Sequence, residues 1–294
     1  MVIYKKSVWD YIFDTLNILF MIFMIIITIY PFVYVVFASL SEPKQFLGHH
    51  GILLKPIGFS LASYRSVIKN PNITTGYGNT LFVVLVGTMC NIFITSLGAY
   101  VLSRQNLLWK RLLTFICIFT MYISGGLIPN YLVVQWLGLI NSRWALILPG
   151  LISTYNMIVM RTAFAGIPAS LEESARLDGA NDFTILFRII IPLSLPTMAV
   201  IALFYGVGHW NAWFNAMIYL PDKSKHPLQL VLREILIQMQ TSEMTVEDSF
   251  TERYAISKTV KYATIIVVTV PILALYPFLQ KYFVKGVMVG AVKG

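Results

Sequence analysis

The chain has 294 residues, of which 57% are hydrophobic and only 12% are charged, and its mean hydropathy is +0.72. Soluble domains carry about one quarter charged residues, so this composition excludes a soluble globular protein and indicates a polytopic membrane protein. The net charge of +9 fits basic loops that flank membrane helices, and no basic stretch interleaved with aromatic residues supports binding to nucleic acid.

Uncharged stretches predict an all-α membrane protein with six transmembrane helices, because each stretch is long enough to cross roughly 30 Å of hydrocarbon. Two long polar segments lie between them, Glu42–Gly76 and Pro221–Lys261. The second contains a helical run, Leu228–Met239, and is expected to face outward, because a loop of this length is usually functional. The six spans are Thr15–Ala38, Tyr77–Leu102, Leu112–Leu137, Trp144–Met160, Leu195–Tyr219 and Tyr262–Gln280.

The third span is interrupted by Gly125-Gly126 and by Pro129-Asn130. Irregular backbone inside a membrane is tolerated where it faces protein or a water-filled cavity. A simple kink that neighbouring helices relieve is the alternative. The sequence leaves both open.

The fifth span carries a polar stripe. At ~100° per residue, an i, i+4, i+7, i+11 pattern falls on one helix face. An unpaired amide in hydrocarbon is costly, so the two Asn side chains need partners. They either bond to another membrane subunit or line a polar cavity. The stripe consists of Phe204, Gly208, Asn211 and Asn215.

The segment between the fourth and fifth spans carries charge and predicts two short helices. Pro168 suits the start of the first helix, and Ser170 with Glu173 offers an alternative first turn through the S-x-x-E spacing of a capping box. Glu172 stands four residues before Arg176, the favourable order for a helical ion pair.

The first helix is expected to end at Asp178-Gly179, because glycine adopts the left-handed cap conformation without a Cβ penalty. Asn181 or Asp182 then caps a second helix, which ends near Pro192. The first helix also has a face of apolar and small residues that fits a groove on another protein. That face is formed by Leu171, Ser174 and Ala175.

This segment resembles the cytoplasmic "EAA" loop of permeases in ATP-binding-cassette (ABC) importers, whose pattern is E-A-A, then Gly, then I-x-L-P. Glu173-Ser174-Ala175 stands for E-A-A, Gly179 for the Gly, and Ile189-x-Ile191-Pro192 for the ending. Two positions depart from the pattern, Ser for Ala and Ile for Leu. The resemblance implies that the loop couples the chain to a nucleotide-binding subunit through Glu172, Glu173, Ser174, Ala175, Arg176, Asp178, Gly179 and Ala180.

The C-terminal stretch Gln280–Gly294 is similar to the tail of the maltose-type carbohydrate permeases. The resemblance covers most of the chain from about Tyr77 onward. It implies that Lys285, Gly286 and Gly290 contact the nucleotide-binding subunits. It also implies three parts: a first helix and extracytoplasmic loop (1–76), a permease transmembrane domain (77–281) and a cytoplasmic tail (282–294).

A count of Lys and Arg does not orient the chain, because eleven fall on either side of the six-span arrangement. However, Arg104, Lys110 and Arg111 fill one very short loop, and short loops dominate the positive-inside rule. Their density places that loop in the cytoplasm. The EAA resemblance requires the same orientation.

The two resemblances imply a permease subunit in the cell membrane that moves an oligosaccharide or sugar derivative delivered by an extracytoplasmic binding protein. The implied partners are that protein, a second homologous permease and two ATP-binding subunits. ATP and Mg²⁺ would bind in those subunits, and this chain is expected to bind no cofactor or metal. The stripe of the fifth span would then lie on the sugar path.

Other chemistry finds little support. The chain has no phosphate-binding loop, no metal-ligand spacing around its four His residues and no G-x-S-x-G elbow, so an enzyme is not expected. The six spans hold no Asp, Glu, Lys or Arg, whereas ion-coupled secondary transporters usually keep charge inside their spans. Such a transporter and an ABC permease for a peptide, phosphate or polyamine remain the alternatives.

Overall fold

The computed structural model describes residues 7–49, 51–245, 258–274 and 277, and these ranges are almost entirely helical. Their only strand-like pairing is an isolated antiparallel bridge between Ser41 and Phe59. The all-α class predicted from the sequence is therefore confirmed for the described chain. The helices are α1 (Val8–Leu40), α2 (Pro43–Leu47), α3 (Ala62–Lys69), α4 (Pro71–Ser103), α5 (Lys110–Tyr122), α6 (Leu127–Trp136), α7 (Thr154–Ala165), α8 (Ala169–Leu177), α9 (Asp182–Ile185), α10 (Ile191–Leu193), α11 (Leu195–Asn211), α12 (Phe214–Tyr219), α13 (Leu228–Thr245) and α14 (258–274).

The chain forms two compact units, of which the first comprises Met1–Asn70 and Ile235–Val270. Almost all of α1 is exposed in the single chain, as expected of a helix that faces lipid. Its C-terminal end packs with α2 and α14. There, the ring of Tyr262 meets those of Tyr34 and Phe46 edge-on, each at 5.8 Å between centroids. A buried hydrogen bond of 2.7 Å from Ser63 Oγ to Thr259 Oγ1 joins α3 to α14.

The second unit, Pro71–Glu234 and Pro271–Gly294, is built around α4. This helix packs against α7 and α11. Toward its C-terminal end it contributes to a core with residues of α7, α9 and α11, and near its middle Val83 joins a second core. The boundary between the two units falls at Asn70, and α4 starts six residues before the predicted second span, so the sequence-based division at 76 lies inside this helix.

The break predicted at Gly125-Gly126 in the third span is confirmed, whereas Pro129 and Asn130 lie in the first turn of α6 and do not interrupt it. Helix α5 ends at Tyr122, α6 begins at Leu127, and the two are bent by 113°. Gly126 has φ +84°, a conformation that residues with a Cβ rarely adopt. The feature is therefore a sharp bend and not the mild kink that was the alternative.

Two predicted spans are not continuous helices. The fourth, Trp144–Met160, consists of two 3₁₀ turns, Arg143–Leu146 and Leu148–Gly150, followed by α7. In this segment, Pro149 lacks the N–H that an α-helix needs. The fifth, Leu195–Tyr219, breaks between α11 and α12. The sequence predicted an unbroken helix in both places, and both predictions are wrong.

Among the described residues, α1 and α4 are long and apolar enough to cross a membrane. The number rises to four if each of two bent pairs is one span. These pairs are α5 with α6, and the segment Asp182–Leu193 with α11, which is bent by 88°. The count of six stays a prediction from the sequence.

A buried amide on α4 supports the irregular fourth segment. Asn91 donates from Nδ2 to the carbonyl oxygens of Gly150 and Leu151, both at 2.8 Å, which the 3₁₀ turns leave without helical partners. Because both amide protons are used, Asn91 Oδ1 is the acceptor for His209 Nε2–H at 2.7 Å. A Cβ on Gly87 would lie 2.7 Å from that nitrogen, so glycine leaves the room for the ring.

Side chains at the other end of α4, which is extracytoplasmic in the orientation predicted from the sequence, also bond to backbone groups of an irregular segment. Asn79 Nδ2 donates to the carbonyls of Ser224 at 2.8 Å and His226 at 3.1 Å. Thr80 Oγ1 accepts from the backbone N–H of Leu228, also at 2.8 Å. These bonds fix the loop that precedes α13 to α4.

Replacing Asn91 with Leu removes three hydrogen bonds and leaves buried polar groups without partners. We expect Asn91→Leu to lower the free energy of unfolding by about 2 kcal/mol or more. The measurement is the melting temperature of the purified protein in detergent. Asn17→Leu is the matched control, because this exposed amide of α1 makes no hydrogen bond within the described part of the chain. Equal melting of both variants would contradict the role given to Asn91.

Candidate coupling site

The segment that resembles the EAA loop folds as two helices around a glycine turn. Helix α8 follows Pro168 directly, so the first of the two predicted starts is correct, and the capping box of Ser170 does not form. At the other end, Gly179 has φ +82° and the N–H of Ala180 bonds to the carbonyl of Ala175 at 2.9 Å. This is the glycine cap predicted from the sequence.

The second helix also begins as predicted. Asn181 Oδ1 accepts from the backbone N–H of Thr184 at 2.8 Å, so Asn181, not Asp182, is the cap. Helix α9 then widens into a π-helical turn, Leu186–Ile190, before α10. The helical segment ends at Leu193, close to the predicted end at Pro192.

An ion network holds the inner side of α8. The predicted pair forms, with Arg176 Nη2 at 3.1 Å from Glu172 Oε1. The other carboxylate oxygen of Glu172 contacts Arg104, which directly follows α4. Arg176 also contacts Asp182 Oδ1 at 2.5 Å. The charges of α8 are thus tied both to α9 and to the end of α4.

The C-terminal turn of α4 completes the network. Tyr100 donates its hydroxyl proton to Asp182 Oδ1 at 3.1 Å, and the Arg104 guanidinium lies 4.6 Å from the centre of the Tyr100 ring. Burial lowers the pKa of Arg104 from its ordinary value. That ordinary value is so high that the guanidinium stays protonated at neutral pH.

Sequence reasoning assigned Arg104 only to membrane topology and did not single out Tyr100. Arg104 is separated by 68 residues from its partner, since 172 − 104 = 68. No spacing rule connects positions so far apart. The sequence contains one indication of this contact. The short loop after α4 is dense in positive charge, and the coupling segment, predicted on the same side of the membrane, contains carboxylates.

The outer side of α8 is exposed in the single chain. Glu173, Ser174 and Leu177 are exposed, and Leu177 is 90% exposed. Ala175, which the sequence placed on the outward face, packs instead against the core beside α4 and α7. This packing differs from the outward face expected for Ala175, and its contact with a nucleotide-binding subunit stays a prediction. Glu173, Ser174 and Leu177 form what is here called the α8 face.

The stripe predicted on the fifth span is divided between two helices. Phe204 and Gly208 lie on α11 and Asn211 is its last residue, whereas Asn215 lies on α12. All four are exposed in the single chain, and within the described part neither Asn side chain makes a hydrogen bond. The single-helix geometry was wrong, and the role of these residues stays a prediction.

The two Trp residues near the stripe, Trp210 and Trp213, are packed against other side chains. Trp210 is 5% exposed and meets the ring of Tyr77 edge-on at 6.4 Å. The Arg233 guanidinium lies 3.7 Å from the centre of the Trp213 ring. The tail residues Lys285, Gly286 and Gly290 lie outside the described residues.

The comparison with protein families decides the class. Residues 92–289 match the model described as "Binding-protein-dependent transport system inner membrane component". The chain belongs to this family. This permease is therefore a membrane component of a binding-protein-dependent ABC importer and not an enzyme, as the sequence predicted. An ion-coupled secondary transporter does not fit that membership.

Two relatives and one solved structure match this permease over at least 95% of its length. The polygalacturonan/rhamnogalacturonan transport system permease protein YtcP of Bacillus subtilis (strain 168) is 42% identical over 283 residues, which cover 96% of this chain and 99% of YtcP. Protein LplC of the same strain is 41% identical over 285 residues, covering 96% and 95%. A chain in the crystal structure of a bacterial ABC transporter involved in the import of the acidic polysaccharide alginate has a TM-score of 0.86 and 31% identity, covering 95% of this chain and 99% of that chain.

Reversing the charges of the contact between α4 and α8 tests the network. Arg104→Glu or Glu172→Arg alone places like charges together in a largely buried position, and each should destabilise the protein by about 1–2 kcal/mol. The two changes combined restore opposite charges and should recover at least half of the loss. The measurement is a double-mutant cycle on melting temperature. Arg188→Glu, an exposed reversal on the π-helical turn, is the control; additive effects of the two changes would contradict the contact.

Proposed function

We propose that this chain is one of the two permeases of an ABC importer for an oligosaccharide or sugar derivative, and that α8 docks on a nucleotide-binding subunit at the cytoplasmic surface. The observation that carries the proposal is that the two sides of α8 differ in their surroundings. Its outer face is exposed, while its inner side is tied by Glu172 and Arg176 to α4 and α9. A helix with these two sides can accept a partner and pass its movement on as a rigid body.

The proposal keeps six membrane spans. Helices α1 and α4 supply two, α5 with α6 supplies the third, α7 with the preceding 3₁₀ turns the fourth, α11 with α12 the fifth, and α14 the sixth. The absence of Asp, Glu, Lys and Arg from all six predicted spans supports this count. In this arrangement, the loop at Arg104 and helix α8 both lie in the cytoplasm, which makes the chain a multi-pass protein of the cell membrane.

The energy for transport would come from the partners. The chain has no phosphate-binding loop, so ATP and Mg²⁺ are proposed to bind in two nucleotide-binding subunits. The segment Pro221–Lys261 is proposed to meet the extracytoplasmic binding protein, and α13 is the projecting element within it. The tail residues Lys285, Gly286 and Gly290 are proposed to contact the nucleotide-binding subunits.

The substrate class is inferred from the relatives. YtcP is named for polygalacturonan and rhamnogalacturonan, and the solved transporter imports alginate, described as an acidic polysaccharide. Both names point to carbohydrate chains and not to a peptide, phosphate or polyamine. We therefore propose an oligosaccharide, and acidic oligosaccharides are the first class to test with the purified binding protein.

Gly179 tests the coupling role. A Cβ at this position would meet no atom within 4 Å, so Gly179→Val acts through the strained positive φ and not through crowding. We expect it to misplace α9 relative to α8 and to reduce ATPase stimulation by the loaded binding protein at least about tenfold. Glu173→Lys should weaken stimulation in the same direction by reversing a charge on the α8 face.

The matched control is Gly138→Val. Gly138 also has a positive φ, +68°, and open space around its Cβ position, but it lies between α6 and the 3₁₀ turns. Both valines carry a similar strain of about 1 kcal/mol or more. The assay uses the assembled complex with and without loaded binding protein. If the loaded binding protein stimulated the ATPase equally in both Gly→Val variants and in Glu173→Lys, the docking assignment would be contradicted.

Asn211 and Asn215 test the sugar path. As exposed amides on α11 and α12, they can offer donors and acceptors to sugar hydroxyls, with Gly208 leaving room beside them because no atom lies within 4 Å of its Cβ position. A lining role predicts that Asn211→Leu or Asn215→Leu slows uptake several-fold while assembly and basal ATPase are kept. Loss of the complex would show instead that these amides join the two permeases.

A further inference from the structure

A basic cavity lies beside the coupling site, between the start of α5 and α7. Its volume is about 480 Å³. One part of its wall is basic and another is apolar, and no carboxylate contributes to it. It is lined by Lys110, Arg111, Thr114, Phe115, Ile118 and Arg161.

The three basic side chains keep free hydrogen-bond donors. Lys110 Nζ donates to the carbonyl of Arg104 at 2.8 Å, which uses one of its three protons. Arg161 donates from Nε to the carbonyl of Leu102 at 3.2 Å, so its two terminal NH₂ groups remain available. Arg111 makes no hydrogen bond or ion pair within the described ranges.

The carboxylates of the coupling site do not neutralise this cavity. Glu172 is held by Arg104 and Arg176, and Asp182 is held by Arg176. Three cations of like sign therefore share one cavity without a counter-charge among the described residues. An anion would relieve their repulsion and accept their free donors.

A buried polar atom points in the same direction. Thr114 lines the cavity, and its buried Oγ1 has no hydrogen-bond partner among the described residues. A buried hydroxyl without a partner is costly. A ligand with several acceptor oxygens would accept from the three cations, and the Thr114 hydroxyl could join them by a rotation of its side chain.

The surroundings place the cavity at the level of lipid headgroups. Leu108 and Trp109, just before α5, are 80% and 74% exposed, and Trp is typical of the boundary between hydrocarbon and water. Phe115 and Ile118, which lie one and two turns after Arg111 on α5, are also exposed. The cavity thus has basic groups at the boundary and apolar groups toward the hydrocarbon, which matches a headgroup followed by acyl chains.

We propose that this cavity binds the phosphate group of an anionic phospholipid from the cytoplasmic leaflet. The ligand chemistry is a phosphate bearing at least one net negative charge, with an apolar chain lying along Phe115 and Ile118. The leaflet, though not the lipid itself, rests on the topology proposed above. Bound there, the lipid joins the cytoplasmic ends of α5 and α7 next to the segment that leads into α8.

The test uses the assembled importer in nanodiscs of phosphatidylcholine with increasing phosphatidylglycerol, and native mass spectrometry counts the retained lipids. Arg111→Gln and Arg161→Gln should each weaken retention of phosphatidylglycerol about fivefold, and the double variant should lose one bound lipid. Arg188→Gln, an exposed neutralisation on the same proposed side of the membrane, should retain it. Equal retention in all variants would overturn the site.

Two further experiments address the source of the anion and the topology of the chain. If inorganic phosphate displaces phosphatidylglycerol at a comparable concentration, the cavity is a site for a soluble anion and the lipid proposal fails. Asn106→Cys, an exposed position in the adjacent loop, reports the side of the membrane through an impermeant thiol reagent. Labelling from outside the cell would overturn the leaflet and the proposed topology, while lipid retention in nanodiscs would be unaffected.

Discussion

The hydrocarbon core of a membrane offers no water to backbone groups that a broken helix leaves unpaired, and this constraint shapes the second unit of the chain. Helix α4 meets it with buried amides and hydroxyls. Asn79 and Thr80 serve the loop before α13, and Asn91 serves the 3₁₀ turns before α7. The 3₁₀ turns can therefore exist at membrane depth, because a regular helix supplies the donors that their carbonyl oxygens lack.

The same helix reaches the coupling site. With 33 residues, α4 is about 50 Å long at the usual rise per residue. Its C-terminal turn carries Tyr100, and Arg104 follows directly, so the network around Glu172 is attached to the element that also holds the 3₁₀ turns through Asn91. The displacement of α8 proposed above would thus be delivered to a long helix and not to a loop.

Local signals in the sequence predicted the structure correctly where a single residue determines the backbone conformation. Gly179 predicts its cap and Gly126 its break, because a positive φ favours glycine wherever it occurs. The break between α11 and α12 lies at Ala212 and Trp213, and neither residue is a helix breaker such as Gly or Pro. The periodic stripe therefore wrongly predicted one helix. The contact of Arg104 with Glu172 and the inward position of Ala175 depend on tertiary packing, which no local pattern encodes.

The contrast between α1 and α4 also bears on the order in which the nascent chain matures. Only Ala38 and Ser39 of α1 are buried, so this helix can settle in the bilayer as soon as it leaves the translocon. Helix α4 brings Asn91 into the hydrocarbon, and Asn79 and Thr80 to its end, before their partners have been synthesised. It must wait for residues 150 to 228 before its polar groups are satisfied. Cotranslational insertion and final helix packing are thereby separated in time within one polypeptide.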